Sequence, residues 1–397
     1  MKEATIVYVD DVSPYSRSLY SNMVAQKKFH FIFYAPKGVF GKLTSRFVLP
    51  NMKRVWTSHF YPYQIAREVA KDKPDIVHIQ FELNTFGSYY TSLLVFPLLI
   101  LLRALRIKVV LTVHTVIPIR CFTKEFTGSI VPPMFRVWHM PAVFYESILT
   151  ILYSFVSQFS ELLVVHTDTQ KGYLVSDYRI LDEKIAVIPQ GVDYATPFIR
   201  YEKVQFWRKK IGNKKIILYF GSITPVKGLK WLIHSFSKLR KHCLDCVLLI
   251  VGGPNYYYTD YYDNIKRLVS TLNLDDEVFF TGWLDKTADL DSVFSLADVI
   301  VFSHVFPQSP SGTVAMVKKH KKKLIASNFA ILKEQLTGYN KVIFIPPGDK
   351  ESLTKAMLSA ITEPFSEPGC ADDAEHKDSW DYIAHETLRL YKTLTDD

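Results

Sequence analysis

The chain has 397 residues, 48% of them hydrophobic and 22% charged, with a formal net charge of +9 and a pI near 9.1. Such a length exceeds one ordinary core and the composition is globular, so two domains are expected and disorder is excluded. The basic balance favours anionic partners such as nucleoside diphosphates or acidic lipid surfaces. With no RRM, KH, zinc-finger or helix-turn-helix signature, no nucleic-acid partner is expected.

The first half alternates short apolar runs with longer helical patterns. Strands are predicted at 4–10, 29–35, 75–81, 108–114, 161–166 and 184–189, each a nearly continuous β-branched run of the kind buried on both faces of a parallel sheet. Helices are predicted between them, notably over 62–71, 89–106 and 134–159. The opening segment MKEATIVYVDD is strand-like and has no apolar signal core; this favours a reduced, cytosolic setting. Leu93 to Leu102 is a run of ten apolar residues closed by Arg103 and Arg106, too short to span a bilayer. It reads either as a buried helix or as a segment inserted peripherally into the inner leaflet, flanked by Tyr89 and Tyr90.

After a join at Pro189–Asp193 the alternation resumes. Strands are predicted at 214–220, 246–253, 277–282, 298–303, 322–327 and 341–347, with helices at 228–242, 259–273, 287–297, 312–320 and 349–362. Cys243 and Cys246 form a lone CxxC ahead of VLLIVGG, read as the start of a buried strand and not as a metal or redox pair. No metal site is expected. Residues 363–378 are rich in Pro, Gly and acids and read as a loop, followed by an amphipathic helix over 379–391. The pattern is α/β: two Rossmann-like domains, 1–195 and 196–378, with their strand C-terminal edges lining a cleft.

The most telling stretch is YFGSITPVKGLKWLIHSF, residues 219–236. A strand ends in a Gly turn, then Pro225, Lys227-Gly228 and an amphipathic helix, which sets a cation and open N–H groups at a strand-to-helix junction suited to a diphosphate. Phe220-Gly221, Pro225, Lys227-Gly228-Leu229, Leu232, Ile233 and Phe236 resemble the donor-phosphate loop of family-4 nucleotide-sugar glycosyltransferases with the GT-B fold. The resemblance covers essentially the whole chain. It implies that helix 379–397 returns to pack on the first domain. It also implies transfer from a UDP-, GDP- or ADP-sugar to a glycan or lipid-linked hydroxyl acceptor, with retention, no metal and no other cofactor.

By that resemblance Lys227 contacts the diphosphate and His114, ending LTVH, touches the transferred sugar. Glu82, just past DIVHIQF, sits at the same edge and is read as orienting sugar or acceptor; His166 is a weaker candidate there. Gly253, Trp283 and Leu284 follow strands where relatives bind the nucleotide base through backbone groups. Ser222 and Thr224 stand where relatives carry an arginine. Gln308 and Met316 stand where relatives carry a Glu-x7-Glu pair. Between them, Ser311, Gly312 and Thr313 begin a helix whose N–H groups can cradle phosphate. The loop Asp10–Arg17 lacks the relatives' paired glycines, and Arg17 is a candidate for the missing charge. Lys318 to Lys323 holds five lysines in six residues, read as a solvated edge or as contact with an anionic membrane or phosphate-bearing acceptor. These departures keep a second reading open, a catalytically impaired scaffold that binds or regulates.

Overall fold

A computed structural model describes residues 3–37, 48–57, 59–82, 85–87, 89–130, 141–284, 287–307, 310–363 and 376–396. The chain forms two compact units. The first comprises Met1–Ile119, Val143–Val192 and Glu375–Asp397; the second comprises Arg120–Ala142 and Asp193–Ala374. The segment Arg120–Ala142, which the sequence reading grouped with the first half, thus belongs to the second unit. Its helix Lys124–Ile130 packs beside the turn Pro225–Lys227.

The first unit is a parallel sheet of β1 (Thr5–Val9), β2 (His30–Pro36), β3 (Met52–Trp56), β4 (Ile76–Phe81), β5 (Lys108–Val113), β6 (Leu162–Val165) and β7 (Ile185–Val187), in the order β3-β2-β1-β4-β5-β6-β7. Every residue of β4 is buried, as its unbroken apolar run requires when helices cover both faces. The final helix, Trp380–Asp396, belongs to this unit. It buries Ile383, Ala384, Thr387, Leu388 and Tyr391, an i, i+4, i+8 stripe, against Ile6, Tyr8 and Phe31.

The predicted helix 89–106 is two pieces, Tyr89–Ser92 and Val95–Ala104. In the second, Val95, Leu98, Leu99 and Leu102 are buried while Ile100 and Leu101 are exposed. Among the described residues no helix is long and apolar enough to cross a membrane. The predicted helix 134–159 is described only as Ala142–Gln158.

The second unit repeats the design with β8 (Lys215–Phe220), β9 (Cys246–Val251), β10 (Val278–Gly282), β11 (Val299–Phe302), β12 (Lys323–Ser327) and β13 (Val342–Ile345), ordered β10-β9-β8-β11-β12-β13 and all parallel. Alternate residues of β8 feed opposite cores: Ile217 and Tyr219 one, Ile216 and Leu218 the other. Cys246 opens β9 as a free thiol, and burial pushes it up to about 12.

The lysine run is not a solvated edge. Lys319 Nζ lies 3.1 Å from Asp193 and 3.3 Å from Asp291, and His320 Nε2 lies 2.9 Å from Asp291. Lys322 Nζ donates to the carbonyls of Ser295 and Ala297, and Lys323 Nζ to those of Ala360 and Glu363. These cations therefore close the C-terminal ends of helices Thr287–Leu296 and Lys350–Thr362, where carbonyls point outward and the dipole favours positive charge. Three of the five lysines are thereby committed to contacts within the fold.

Candidate functional site

In each sheet the strand order reverses between two central strands, β1 and β4 in the first unit and β8 and β11 in the second. Crevices for ligands open beyond the C-terminal ends of strands at such points. Glu82 follows β4 at the first of these points, and the loop carrying Lys227 leaves β8 at the second.

In the second unit the loop leaving β8 is stitched to the loop leaving β9. Gly221 N–H donates to the Val251 carbonyl and Ile223 N–H to the Gly253 carbonyl, both at 2.9 Å. The approach is close: a Cβ on Gly252, at φ +129, would stand 2.1 Å from the Gly221 carbonyl oxygen. The chain then turns through Pro225–Lys227 into helix Leu229–Leu239, with Gly228 left-handed at φ 70. Ser303, just past β11, donates its hydroxyl to the carbonyls of Lys227 and Gly228 at 3.2 Å each, and Val305 N–H donates to Val226 at 3.0 Å. A Cβ on Gly228 would meet the Ser303 carbonyl at 1.8 Å. We expect Gly228→Ala to cost about 3 kcal/mol or more, from backbone strain plus an overlap that only backbone movement relieves. Urea denaturation checks this, and an unchanged midpoint would show that the junction is not so tightly built.

This tight turn lays the Lys227 side chain over the end of β8: a Cβ added to Gly221 would sit 2.6 Å from Nζ. Among the described residues no carboxylate pairs with that ammonium, and burial lowers its pKa to about 8. A half-buried cation without a countercharge carries a desolvation cost, and an anion relieves it. Thr224 is buried and closes the turn by accepting the Lys227 N–H at 3.2 Å. Ser222, partly exposed, lies on the same loop, its carbonyl accepting from Tyr219 at 3.2 Å.

The other predicted donor-side residues divide. The indole of Trp283, 56% exposed, lies against Gly253 so closely that a Cβ there would be 2.6 Å from the ring. Together they make a flat apolar surface beyond β9 and β10. Leu284 and Met316, both partly buried, pack against the core instead. Ser311 N–H is already used, donating to Gln335 Oε1 at 2.8 Å, and its hydroxyl pairs with Thr313 at 2.5 Å. Gly312 begins the helix Gly312–Lys319 facing open space. The expected phosphate cradle therefore narrows to the N–H groups of Gly312 and Thr313. Gln308 lies outside the described residues.

In the first unit, β4, β5 and β6 place a chain of polar groups at their ends. His78 Nδ1 pairs with the hydroxyl of Tyr391, and His78 Nε2 lies 2.7 Å from Thr112 Oγ1. Gln80 Nε2 lies 3.0 Å from His78 Nε2, and Gln80 Oε1 lies 2.9 Å from His114 Nε2. His114 Nδ1 lies 2.9 Å from His166 Nε2, whose Nδ1 donates to the Ile188 carbonyl at 2.9 Å. The proton count follows. Ile188 can only accept, so a neutral His166 presents a bare Nε2, and His114 must donate from Nδ1. Burial pushes His166 down to about 4 and His114 well below the usual imidazole range. The pair is therefore neutral, and His114 Nε2 is satisfied when the Gln80 amide turns its NH₂ toward it. Both nitrogens of His114 are thus occupied, so the ring reaches a sugar hydroxyl only by exchanging a partner. His166, a weaker candidate by sequence, is as much part of this string as His114.

Three carboxylates border it. Asp10 is buried, with Oδ2 accepting from Ser13 N at 2.9 Å and Ser13 Oγ at 2.8 Å, and burial raises its pKa. Asp11 is raised well above its ordinary value by burial and by the charges of Asp10 and Glu82. Burial also raises Glu82, which accepts from Thr115 Oγ1 at 3.3 Å. Between Asp11 and Ser13 the β-branched Val12 is held at φ 69, a strained conformation. Sequence reasoning passed over Asp10 and Asp11; two acids ending a buried strand were the available signal.

Residues 202–380 match the family model described as Glycosyl transferases group 1, and residues 23–196 match Glycosyltransferase Family 4. An uncharacterized glycosyltransferase of Methanocaldococcus jannaschii is 26% identical over 234 residues, 56% of this chain and 57% of that protein. A D-inositol 3-phosphate glycosyltransferase of Kineococcus radiotolerans is 25% identical over 264 residues, 61% of this chain and 59% of that protein. The chain thus spans under two thirds of the length of these curated relatives. Among solved structures, the sucrose-phosphate synthase of Thermosynechococcus elongatus superposes with a TM-score of 0.75 at 17% identity, covering 99% of each chain. Anabaena HepE in complex with UDP and glucose superposes with a TM-score of 0.73 at 14% identity, covering 98% of this chain and 100% of that one. These likenesses are of fold.

Proposed function

The chain belongs to the group 1, family-4-like glycosyltransferases, and from that premise we propose that it moves a sugar from a nucleoside-diphosphate donor to a hydroxyl acceptor. One observation carries this reading: Lys227, half-buried and without a carboxylate partner among the described residues, lies over the glycine turn at the second unit's strand reversal. As the bond to the anomeric carbon breaks, negative charge grows on the leaving diphosphate. A preorganised ammonium and the N–H groups of Gly312 and Thr313 stabilise that charge more than they stabilise the ground state. The flat surface of Trp283 over Gly253 suits a nucleotide base; HepE, of the same fold, is described in complex with UDP.

The acceptor is assigned to the first unit. Glu82, its pKa raised by burial, can hold a proton and hydrogen-bond an acceptor or sugar hydroxyl, as can Asp10. His114, neutral, offers a hydrogen bond without charge. Retention and metal independence complete the proposal. Leu93, Ile100, Leu101 and Leu105 form an exposed apolar face, which supports a peripheral contact with the inner leaflet and a lipid-linked acceptor; vesicle flotation tests it.

A second reading, a scaffold impaired in catalysis, draws on Met316, packed against the core, and on the uncharged Ser222 and Thr224. Purified protein given UDP-, GDP- and ADP-sugars with candidate acceptors, with and without EDTA, separates the two. EDTA-insensitive release of one nucleoside diphosphate with acceptor-dependent product of retained configuration supports the transferase. Donor binding without turnover on any acceptor favours the scaffold.

A further inference from the structure

Lys227 is not the only basic group left without a countercharge at this edge. His304 follows β11, one residue beyond the Ser303 that is bonded to the Lys227–Gly228 backbone. The residue is 5% exposed, and its Nδ1 is buried without a hydrogen-bond partner among the described residues. Native folds seldom leave a buried ring nitrogen unsatisfied, and those that persist need a reason. The Lys227 charge is close enough to act on the ring, and the Phe302 carbonyl favours a proton on it. Two basic side chains thus converge from the two strands at the sheet's reversal.

We propose that His304 is the second cation of the donor site, neutral while the site is empty and protonated from solvent when a diphosphate is bound. The proposal rests on the reading of this edge as the donor site. It also supplies the charge that Ser222 and Thr224 do not. In the empty state burial and Lys227 hold the imidazole down to about 3. A diphosphate with its negative charges placed between Lys227 and His304 reverses both effects, because it screens the lysine and gives the imidazolium an acceptor. The surrounding segments contribute little else that titrates. Past β11 and β12 lie Ser303 and Ser327, and helix Lys124–Ile130 carries Lys124 and Glu125, both exposed.

The sign of the linkage is fixed. The bound state carries the proton, so donor affinity falls as pH rises, and binding takes up protons from buffer. A nucleotide sugar is the right probe, because its diphosphate has no free terminal phosphate that titrates with a pKa of about 6. At a pH of about 6.5 Lys227 is already charged, so uptake there reports His304. UDP-, GDP- and ADP-sugars are titrated calorimetrically into wild type, His304→Gln and His304→Leu in two buffers of different ionisation heat.

We expect buffer-dependent heat in wild type, none in either variant, and affinity about tenfold weaker in both variants at that pH. His304→Leu should melt close to wild type, since it gives up the unsatisfied nitrogen together with the contacts to the Phe302 carbonyl and ring; this sets a binding role apart from a structural one. Buffer-independent heat in wild type, or variants that bind as tightly as wild type, overturns the assignment of His304. Failure of wild type to bind any of the donors overturns the donor site itself and this proposal with it.

Discussion

Lys227→Met is expected to lower kcat/KM for the donor by about 10²–10³-fold, with no loss of folding, because it removes a charge that acts on the leaving diphosphate. Methionine keeps most of the side chain's volume over Gly221, so packing survives while the ammonium goes. The pH profile gives an independent check. Burial brings this lysine down to about 8, so the free enzyme loses its cation, and kcat/KM falls, as pH rises through that value. Lys227→Met should have no such limb, and Lys227→Arg should carry its limb to higher pH. Initial rates against donor concentration, at several pH values, decide it. A variant within threefold of wild type would remove Lys227 from the mechanism.

The largest stability effect is expected far from that edge. Tyr391 is fully buried in the first unit, its ring 6.0 Å from Phe29 and 5.6 Å from His78, and its hydroxyl meets His78 Nδ1. Tyr391→Ala should cost about 4 kcal/mol, combining an aromatic-sized cavity with an unpaired buried imidazole nitrogen. Tyr391→Phe keeps the ring and should cost only about 1–2 kcal/mol. Urea denaturation followed by tryptophan fluorescence reads both. Equal costs for the two variants would mean that the hydroxyl, not the packing, fastens the last helix. The His78 that this hydroxyl meets begins the string that ends at His114 and His166.

Much of this was legible in the chain. The strands of both sheets are β-branched runs buried on two faces, a pattern that period alone exposes. β3 was missed because MKRVW mixes charge with apolar residues, as suits an edge strand with Lys53 and Arg54 exposed. The first turn of helix Pro14–Ala25 was read as part of the loop Asp10–Arg17, although Ser13 accepting from Ser16 N–H and Pro14 in the first turn are ordinary start signals. Lys227 was legible because its loop is local: glycine, proline and lysine lie within one turn.

His304 was not, since its significance depends on an unsatisfied nitrogen that only the packing of β11 against a distant turn creates. The lysine run misled for the same reason. Charge density suggests solvent, whereas the carbonyls those lysines cap become visible only when helix ends are assembled beside them. His78 and Gln80 could be put on one face of β4 by their spacing; that they reach Tyr391 could not.

The role of the donor edge is decided by what Lys227 holds. The most direct test is a crystal structure of the protein with whichever of UDP, GDP or ADP binds it most tightly. The prediction is a diphosphate within hydrogen-bonding distance of Lys227 Nζ, beyond the C-terminal ends of β8 and β11. A nucleotide bound elsewhere, with Lys227 still lying over Gly221 and touching no phosphate, would contradict it.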